Sequence, residues 1–234
     1  MTIGDVAHRI DHTLLKPEAT AREIDILCEE ACVYGFKTVC VNPVYVSRAA
    51  RTLSAHRTNI VDGRVPAVCS VAGFPLGACK MPTKADAARR ALDDGAVEID
   101  MVANIGALVD GECTAVRHDI EAVARAVHGT YSSAILKVIL ETAALTDEQV
   151  VLGCRCCVDA GADFVKTSTG FHPAGGATIA RVRLLSRHAA PLGVKAAGGI
   201  RDAPRALAMF EAGADRLGAS SSVAIIRELQ RSLP

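Results

Sequence analysis

Aromatic side chains are scarce. The 234 residues include no tryptophan, and Phe, Trp and Tyr together make up 3% of the chain. Packing therefore falls to Val, Ala, Leu and Ile, and with half of all residues hydrophobic a sizeable core is available. Neither sign of charge is in surplus: 26 basic and 26 acidic side chains give a formal net charge of zero. That balance lacks the electrostatic footprint of a protein that binds nucleic acid or an anionic membrane surface. No apolar run reaches the ~18 residues of a membrane span. The N-terminus has no basic region followed by an apolar run and a cleavage site, so no secretory signal is expected. No Gly-x-Gly-x-x-Gly follows the first strand and no phosphate-loop motif occurs, which argues against a nucleotide-binding open sheet.

Cysteine is the exception, with nine residues. The number is odd, and Cys28, Cys32, Cys40 and Cys69 fall within expected helices or strands, where they behave as small apolar residues. Cys154, Cys156 and Cys157 cluster on one helix without a histidine at ligand spacing, so no metal site is expected there. The expectation is a reduced, cytoplasmic enzyme.

Glycines and capping signals divide the chain into alternating strands and helices. Thr20 to Glu23 and Thr146 to Gln149 read as capping boxes, and Thr83 to Asp86 as another helix start. Asn42-Pro43 reads as a cap followed by proline at the first helical position. Gly35, Gly95, Gly161 and Gly213 stop helices, each just before a strand, in steps of about two strand–helix units. Eight strands alternate with helices and no linker separates them. The expected fold is a single (β/α)8 TIM barrel over residues 1–234, with a doubly wound sheet as the alternative.

Buried parallel strands should be nearly continuous apolar residues. Three of these carry lysine instead: Lys137 in Ile135–Leu140, Lys166 between Gly161 and Gly170, and Lys195 in Gly193–Gly199. The two intervals are equal, 29 residues, about one strand–helix unit of roughly 30. A fourth strand carries Glu98 and Asp100, which share a face because side chains alternate. Burial and a neighbouring cation both lower an ammonium pKa, at about 1.4 kcal/mol per unit. The resulting neutral amine can attack a carbonyl and form a Schiff base, with Asp100 moving protons at the adjacent carbon. Spacing leaves open which lysine is the nucleophile. It also leaves open Asp100–Lys137 as a structural ion pair, and Asp11 as either catalytic support or a lysine's partner.

The last three strand–helix loops, Gly170–Gly176, Gly198-Gly199 and Gly218-Ala219-Ser220-Ser221, are rich in glycine and hydroxyl groups. Helix starts and free backbone N–H groups of this kind bind phosphate, though ordinary turns use the same residues. His12 and His172 are too few for a metal-dependent aldolase, and His172 reads as a loop residue. Cys40 reads as strand packing; facing the site, it would be exposed to reactive aldehydes.

Seven segments taken together resemble the deoxyribose-phosphate aldolase family: Ile10–Lys16, Val41-Asn42-Pro43, Gly73–Gly77, Glu98–Val102, Leu136–Ile139, Val165–Gly170 and Lys195–Ile200. The resemblance covers nearly the whole chain. It implies a cofactor-free, metal-independent class I aldolase on a (β/α)8 barrel. Such an enzyme interconverts 2-deoxy-D-ribose 5-phosphate with D-glyceraldehyde 3-phosphate and acetaldehyde. It further implies Lys166 as the Schiff-base lysine and Lys195 as the neighbour that keeps it neutral. Asp100 would act as proton donor and acceptor through a water, with Lys137 and Asp11 in support. Phosphate would meet Thr169, Gly170, Gly198, Gly199, Gly218, Ser220 and Ser221. The implied partners are small phosphosugar and aldehyde substrates and further copies of the chain, as a homodimer or tetramer. The chain departs from the family at His172-Pro173-Ala174, at Ala219 and Ser222 beside the two serines, and at Pro234, where longer members carry a terminal tyrosine. Another Schiff-base phosphosugar aldolase or transaldolase, and a non-catalytic phosphosugar-binding barrel, are the alternatives.

Overall fold

The computed structural model describes residues 1–56 and 63–232; Pro234 lies outside them. Eight strands close into a parallel barrel in chain order. They are β1 (Ile10–Leu14), β2 (Thr38–Val41), β3 (Ala67–Ala72), β4 (Glu98–Val102), β5 (Ile135–Ile139), β6 (Phe164–Lys166), β7 (Gly193–Ala197) and β8 (Arg216–Ala219). Strand β8 pairs with β1 through Asp11 and Gly218, so no sheet edge remains open. The expected closed barrel is the observed one, and the open sheet is excluded.

Helices α2 (Ala21–Tyr34), α3 (Val46–Ala55), α4 (Met81–Asp93), α6 (Cys113–Thr130), α7 (Asp147–Asp159), α8 (Ile179–His188), α9 (Ala203–Glu211) and α10 (Ser222–Ser232) surround it. The capping boxes at Thr20 and Thr146 form as expected, each hydroxyl accepting from the third helical N–H while the third side chain reaches back. Gly35, Gly95, Gly161 and Gly213 all have positive φ, the conformation that lets the chain turn from helix into strand.

Several local expectations are corrected. The fourth helix starts at Met81 rather than Thr83, because Pro82 occupies the first turn, where its missing N–H costs nothing. Asn42 does not cap: its side-chain amide donates instead to the Leu15 and Lys16 carbonyls, and only a 3-10 turn follows before α3. Two short helices were missed, α1 (Ile3–Ala7), with its own Thr2–Asp5 capping box, and α5 (Ile105–Val109), capped by Asn104.

Alternation along the strands produces two unlike cores. Ile99, Met101, Leu136, Val138, Val165, Val194, Ala196 and Leu217 face outward and pack against the helices in one continuous apolar layer. The inward set differs around the ring. On the β1–β3 side it is a small apolar cluster of Leu15, Cys40, Cys69 and Val71. The remaining strands contribute Glu98, Asp100, Lys137, Lys166, Lys195 and Arg216, joined by Asp11 of β1, all buried. The outer layer supplies the stability; the inner half holds charge.

Replacing Thr20 by alanine removes one capping-box acceptor at the start of α2. The expected loss is about 1 kcal/mol, a fall in melting temperature of about 2–4 °C for a chain of this size. Calorimetry of Thr20→Ala checks it, and an unchanged melting temperature would remove the cap from the account.

Candidate active site

The charged residues form one connected lattice inside the barrel. Asp100 lies at its centre. Its Oδ1 accepts from Lys137 at 2.9 Å, and its Oδ2 from both Lys166 at 2.8 Å and Lys195 at 2.6 Å. Lys137 also meets Glu98 at 2.6 Å, and Lys195 meets Asp11 at 2.5 Å. Arg216 bridges Asp11 at 2.7 Å and Glu98 at 3.1 Å. Four cations thus face three carboxylates, and every member is buried.

The strand register explains the arrangement. Lys166 pairs level with Lys195, whereas Lys137 lies opposite Phe164, two residues lower on the neighbouring strand. Equal 29-residue spacing therefore brings the lysines together but not to one height. Lys137 occupies a deeper layer, between Glu98 and Asp100.

Opposite charge reverses the expected direction of two pKa shifts. Burial alone would lower the Lys137 pKa, but Asp100, Cys69, Glu98 and Asp11 more than offset it and hold the ammonium well above its ordinary range. Burial likewise works against charged Lys195, and Asp100 and Asp11 reverse it, so this pKa is also raised. The expectation of mutually lowered lysines fails for these two because carboxylates are interleaved between them. Asp100 and Asp11 mirror the effect. Burial alone would raise them, yet the surrounding cations hold both carboxyls below the usual carboxylate range.

Above the lattice, at the C-terminal end of the barrel, lies a cavity of about 340 Å³. Lys166 lines it; Lys137 and Lys195 do not. Thr169, Gly170, Gly198, Gly199, Gly218 and Ser220 also line it, as do Lys16 and Arg201. Gly170, Gly198 and Gly199 have φ of 84°, 94° and 76°, a conformation open to glycine and strained for other residues. Two close approaches fix these loops: a Cβ on Gly176 would lie 2.4 Å from the Gly198 carbonyl oxygen, and one on Gly198 would lie 2.9 Å from the Gly176 Cα.

Other expected residues fall elsewhere. Ser221 lines a neighbouring depression with His12 and Glu30. His12 is buried with its Nε2 2.9 Å from Glu30, and His172 is exposed, its Nδ1 accepting from the Ala174 N–H. Cys40 is fully buried beside Leu15, Cys69 and Val71 and does not line the cavity.

Three participants were missed. Arg216 was legible as a charge inside an otherwise apolar strand. Cys69 receives a hydrogen bond from Lys137 at 3.5 Å and donates to Asp100 at 3.3 Å; its sequence context shows only a small apolar residue. Glu141 adopts φ 57° at the end of β5, and its carboxylate accepts from the Thr169 hydroxyl at 2.5 Å and the Thr169 N–H at 3.2 Å. That pair of bonds fixes the loop after Lys166.

The sequence model of the DeoC/LacD family aldolases matches residues 6–227. The chain is 51% identical over 225 residues to deoxyribose-phosphate aldolase 1 of Bacillus licheniformis, covering 96% of each. It is 52% identical over 223 residues to the deoxyribose-phosphate aldolase of Thermococcus gammatolerans, covering 95% of each. Among solved structures it superposes on the tetrameric deoxyribose phosphate aldolase of Aeropyrum pernix with a TM-score of 0.87 at 34% identity, covering 99% of this chain and 94% of that one.

Two outcomes follow from the lattice. Arg216→Leu strips a cation from two buried carboxylates and should cost about 3–5 kcal/mol in a denaturant titration; a loss below 1 kcal/mol would mean the pairs are dispensable. The second concerns pH. Asp11 and Asp100 have lowered folded-state pKa values, so their stabilisation is present above the ordinary 3.8 and is lost as pH falls below it. Lys137 and Lys195 are raised, so theirs is full below the ordinary 10.5 and is lost as pH rises beyond it. Chemical denaturation across pH should therefore show a plateau between these limits; an Asp100→Asn variant should lose part of the acid limb.

Proposed function

The chain belongs to the DeoC/LacD family of aldolases, and we propose that it works as a deoxyribose-phosphate aldolase whose Schiff-base amine is Lys166. The reaction interconverts 2-deoxy-D-ribose 5-phosphate with D-glyceraldehyde 3-phosphate and acetaldehyde. The observation that carries the assignment of the nucleophile is access: of the three barrel lysines, only Lys166 lines the cavity. It also has the fewest carboxylate partners, Asp100 alone against two for Lys195 and three for Lys137.

Attack by the Lys166 amine on acetaldehyde gives a carbinolamine, and loss of water gives an iminium ion. Removal of a proton from the adjacent methyl carbon makes the enamine, which adds to the aldehyde of glyceraldehyde 3-phosphate. Hydrolysis then frees the sugar and the lysine. Asp100, hydrogen-bonded to the Lys166 nitrogen, is the carboxylate placed to exchange that proton, directly or through a water.

Lys195 keeps a second positive charge on the same Asp100 oxygen. Lys166 shares that oxygen, so the two amines are held close on one carboxylate. Lys137, Asp11, Glu98 and Arg216 hold the lattice rigid around the reacting nitrogen.

The phosphate belongs at the loops of Gly170, Gly198-Gly199 and Gly218-Ser220, where backbone N–H groups and the nearby start of α10 favour an anion. Lys16 and Arg201, which also line the cavity, add positive charge. An oligomer of like subunits is part of this reading, supported by the tetramer that the Aeropyrum pernix protein forms. So is a cytoplasmic location, supported by nine cysteines that are all free.

Reduction with borohydride in the presence of acetaldehyde should attach one ethyl group to Lys166, located by peptide mapping. An adduct elsewhere would sink the assignment. Lys166→Met should abolish turnover and keep the fold, since the lattice then has equal numbers of cations and carboxylates. In Lys195→Leu the alkaline shift of the acidic limb of the pH–rate profile is the expected result, because the cation that opposes protonation next door is gone; an unmoved profile would remove Lys195 from that role.

A further inference from the structure

Two thiols on the outer helices lie close together, remote from the aldol chemistry. Cys113 opens α6 and Cys156 lies in α7, and their sulfurs are 3.1 Å apart across 43 residues of chain. A disulfide bond is about 2.05 Å long, so closure needs an approach of only about 1 Å. The two differ in exposure. Cys113 is partly accessible, whereas Cys156 is fully buried. The Cys156 thiol also lies 3.6 Å from the Cys113 carbonyl oxygen, a second contact that directs it at the first turn of α6. Burial, reinforced by the contact with Cys113, pushes the Cys156 thiol up to about 12.

The pair does not resemble a metal site. Among the described residues, neither cysteine joins a group of three or more side chains able to ligate an ion. Cys156 shares the layer between helices and barrel with Cys28, Cys32, Cys154 and Cys157, and Cys113 packs against its edge; the direct sulfur–sulfur contact sets this pair apart. Cys79 is exposed. Two sulfurs face to face, one reachable from solvent and one held behind it, is the arrangement of an attacking and a resolving thiol.

We propose that Cys113 and Cys156 form an oxidisable dithiol that closes to a disulfide with a low-molecular-weight disulfide as oxidant, joining α6 to α7. The Cys113 thiolate attacks one sulfur of the external disulfide and expels one thiolate, which takes up a proton. Cys156 then loses its proton to solvent, attacks the Cys113 sulfur and expels the second thiol. Two protein thiols are oxidised and one external disulfide is reduced to two thiols. The raised thiol of Cys156 makes the second step the slower one. Neither residue lines the central cavity, so the link acts as a staple between outer helices and leaves turnover intact. It closes a loop in the unfolded chain, which favours the folded state.

The test uses a Cys79→Ser background, so that the exposed thiol cannot take up oxidant, and oxidised glutathione as the probe. Thiols titrated in denaturant should fall from eight to six, and non-reducing peptide mapping should recover one linked pair containing Cys113 and Cys156. The melting temperature should rise by several degrees and return when dithiothreitol is added, with turnover within about twofold of the reduced protein. Cys113→Ala in the same background should form no linked pair. A persistent glutathione adduct on Cys113, linkage through other cysteines, or eight thiols left untouched would each overturn the dithiol. Turnover lost beyond twofold on oxidation would overturn the staple.

Discussion

The crowding of four basic side chains against three carboxylates in a dry barrel is the constraint from which the rest of the site follows. Lys137, Lys166, Lys195 and Arg216 meet Asp11, Glu98 and Asp100 with essentially no water contact. Arg216 stays charged in any protein, and Lys137 and Lys195 are held as ammonium ions by multiple carboxylates. Compensation is thinnest where the cavity opens, at Lys166, which meets Asp100 alone. In the proposed reaction this is the amine that meets the aldehyde. The same nitrogen lies against the carboxylate that would handle its protons.

Such a lattice is poorly explained as a stabilising device. Buried ion pairs replaced by apolar residues of similar volume often leave a protein as stable or more so. The apolar layer between helices and strands is continuous around the barrel and is the larger contribution to folding. The inner half from β4 to β8 departs from the branched apolar layers that usually fill such a barrel. Its charges are best understood as held in place by the outer layer: backbone positions fixed by packing on one face impose side-chain positions on the other. Preorganisation of this kind makes a carboxylate and an amine effective together without further reorganisation.

Much of this was legible because the chain announces its period. Glycines at helix ends, two capping boxes and lysines at equal intervals specify a closed barrel with three amines in one interior. Glu98 and Asp100 were legible as one face of a strand by alternation alone. What the sequence could not supply was height and partnership. The stagger that puts Lys137 a layer below Lys166 comes from the shear of the closed barrel, a global property that no local window carries. The direction of the Lys137 and Lys195 shifts depends on carboxylates from β1 and β4, which only closure brings across. Asn42 was misjudged because its amide found carbonyls on a different loop. Arg216 was readable and overlooked; Glu141 was not, since its role depends on a left-handed backbone and on Thr169 in the loop after the neighbouring strand.

Glu141 shows how the two ends of the site are mechanically joined. A carboxylate in a left-handed conformation is a costly choice, of order 1–3 kcal/mol, unless its surroundings require it. Here it lies two residues past Ile139, the last residue of β5, which pairs with Lys166. Its oxygen takes both the N–H and the hydroxyl of Thr169, and that hydroxyl in turn accepts from the Phe171 N–H. The loop that begins three residues after Lys166 is thereby fixed to the strand that carries Lys137. Gly170 in that loop approaches Gly198 closely enough that a Cβ would lie 3.6 Å from its Cα. Strand end, the loop after Lys166 and the next glycine turn are thus linked by direct contacts. In the proposed reaction the span from the Lys166 amine to the glycine loops is therefore set by backbone geometry rather than by flexible side chains, which favours a substrate of matching length.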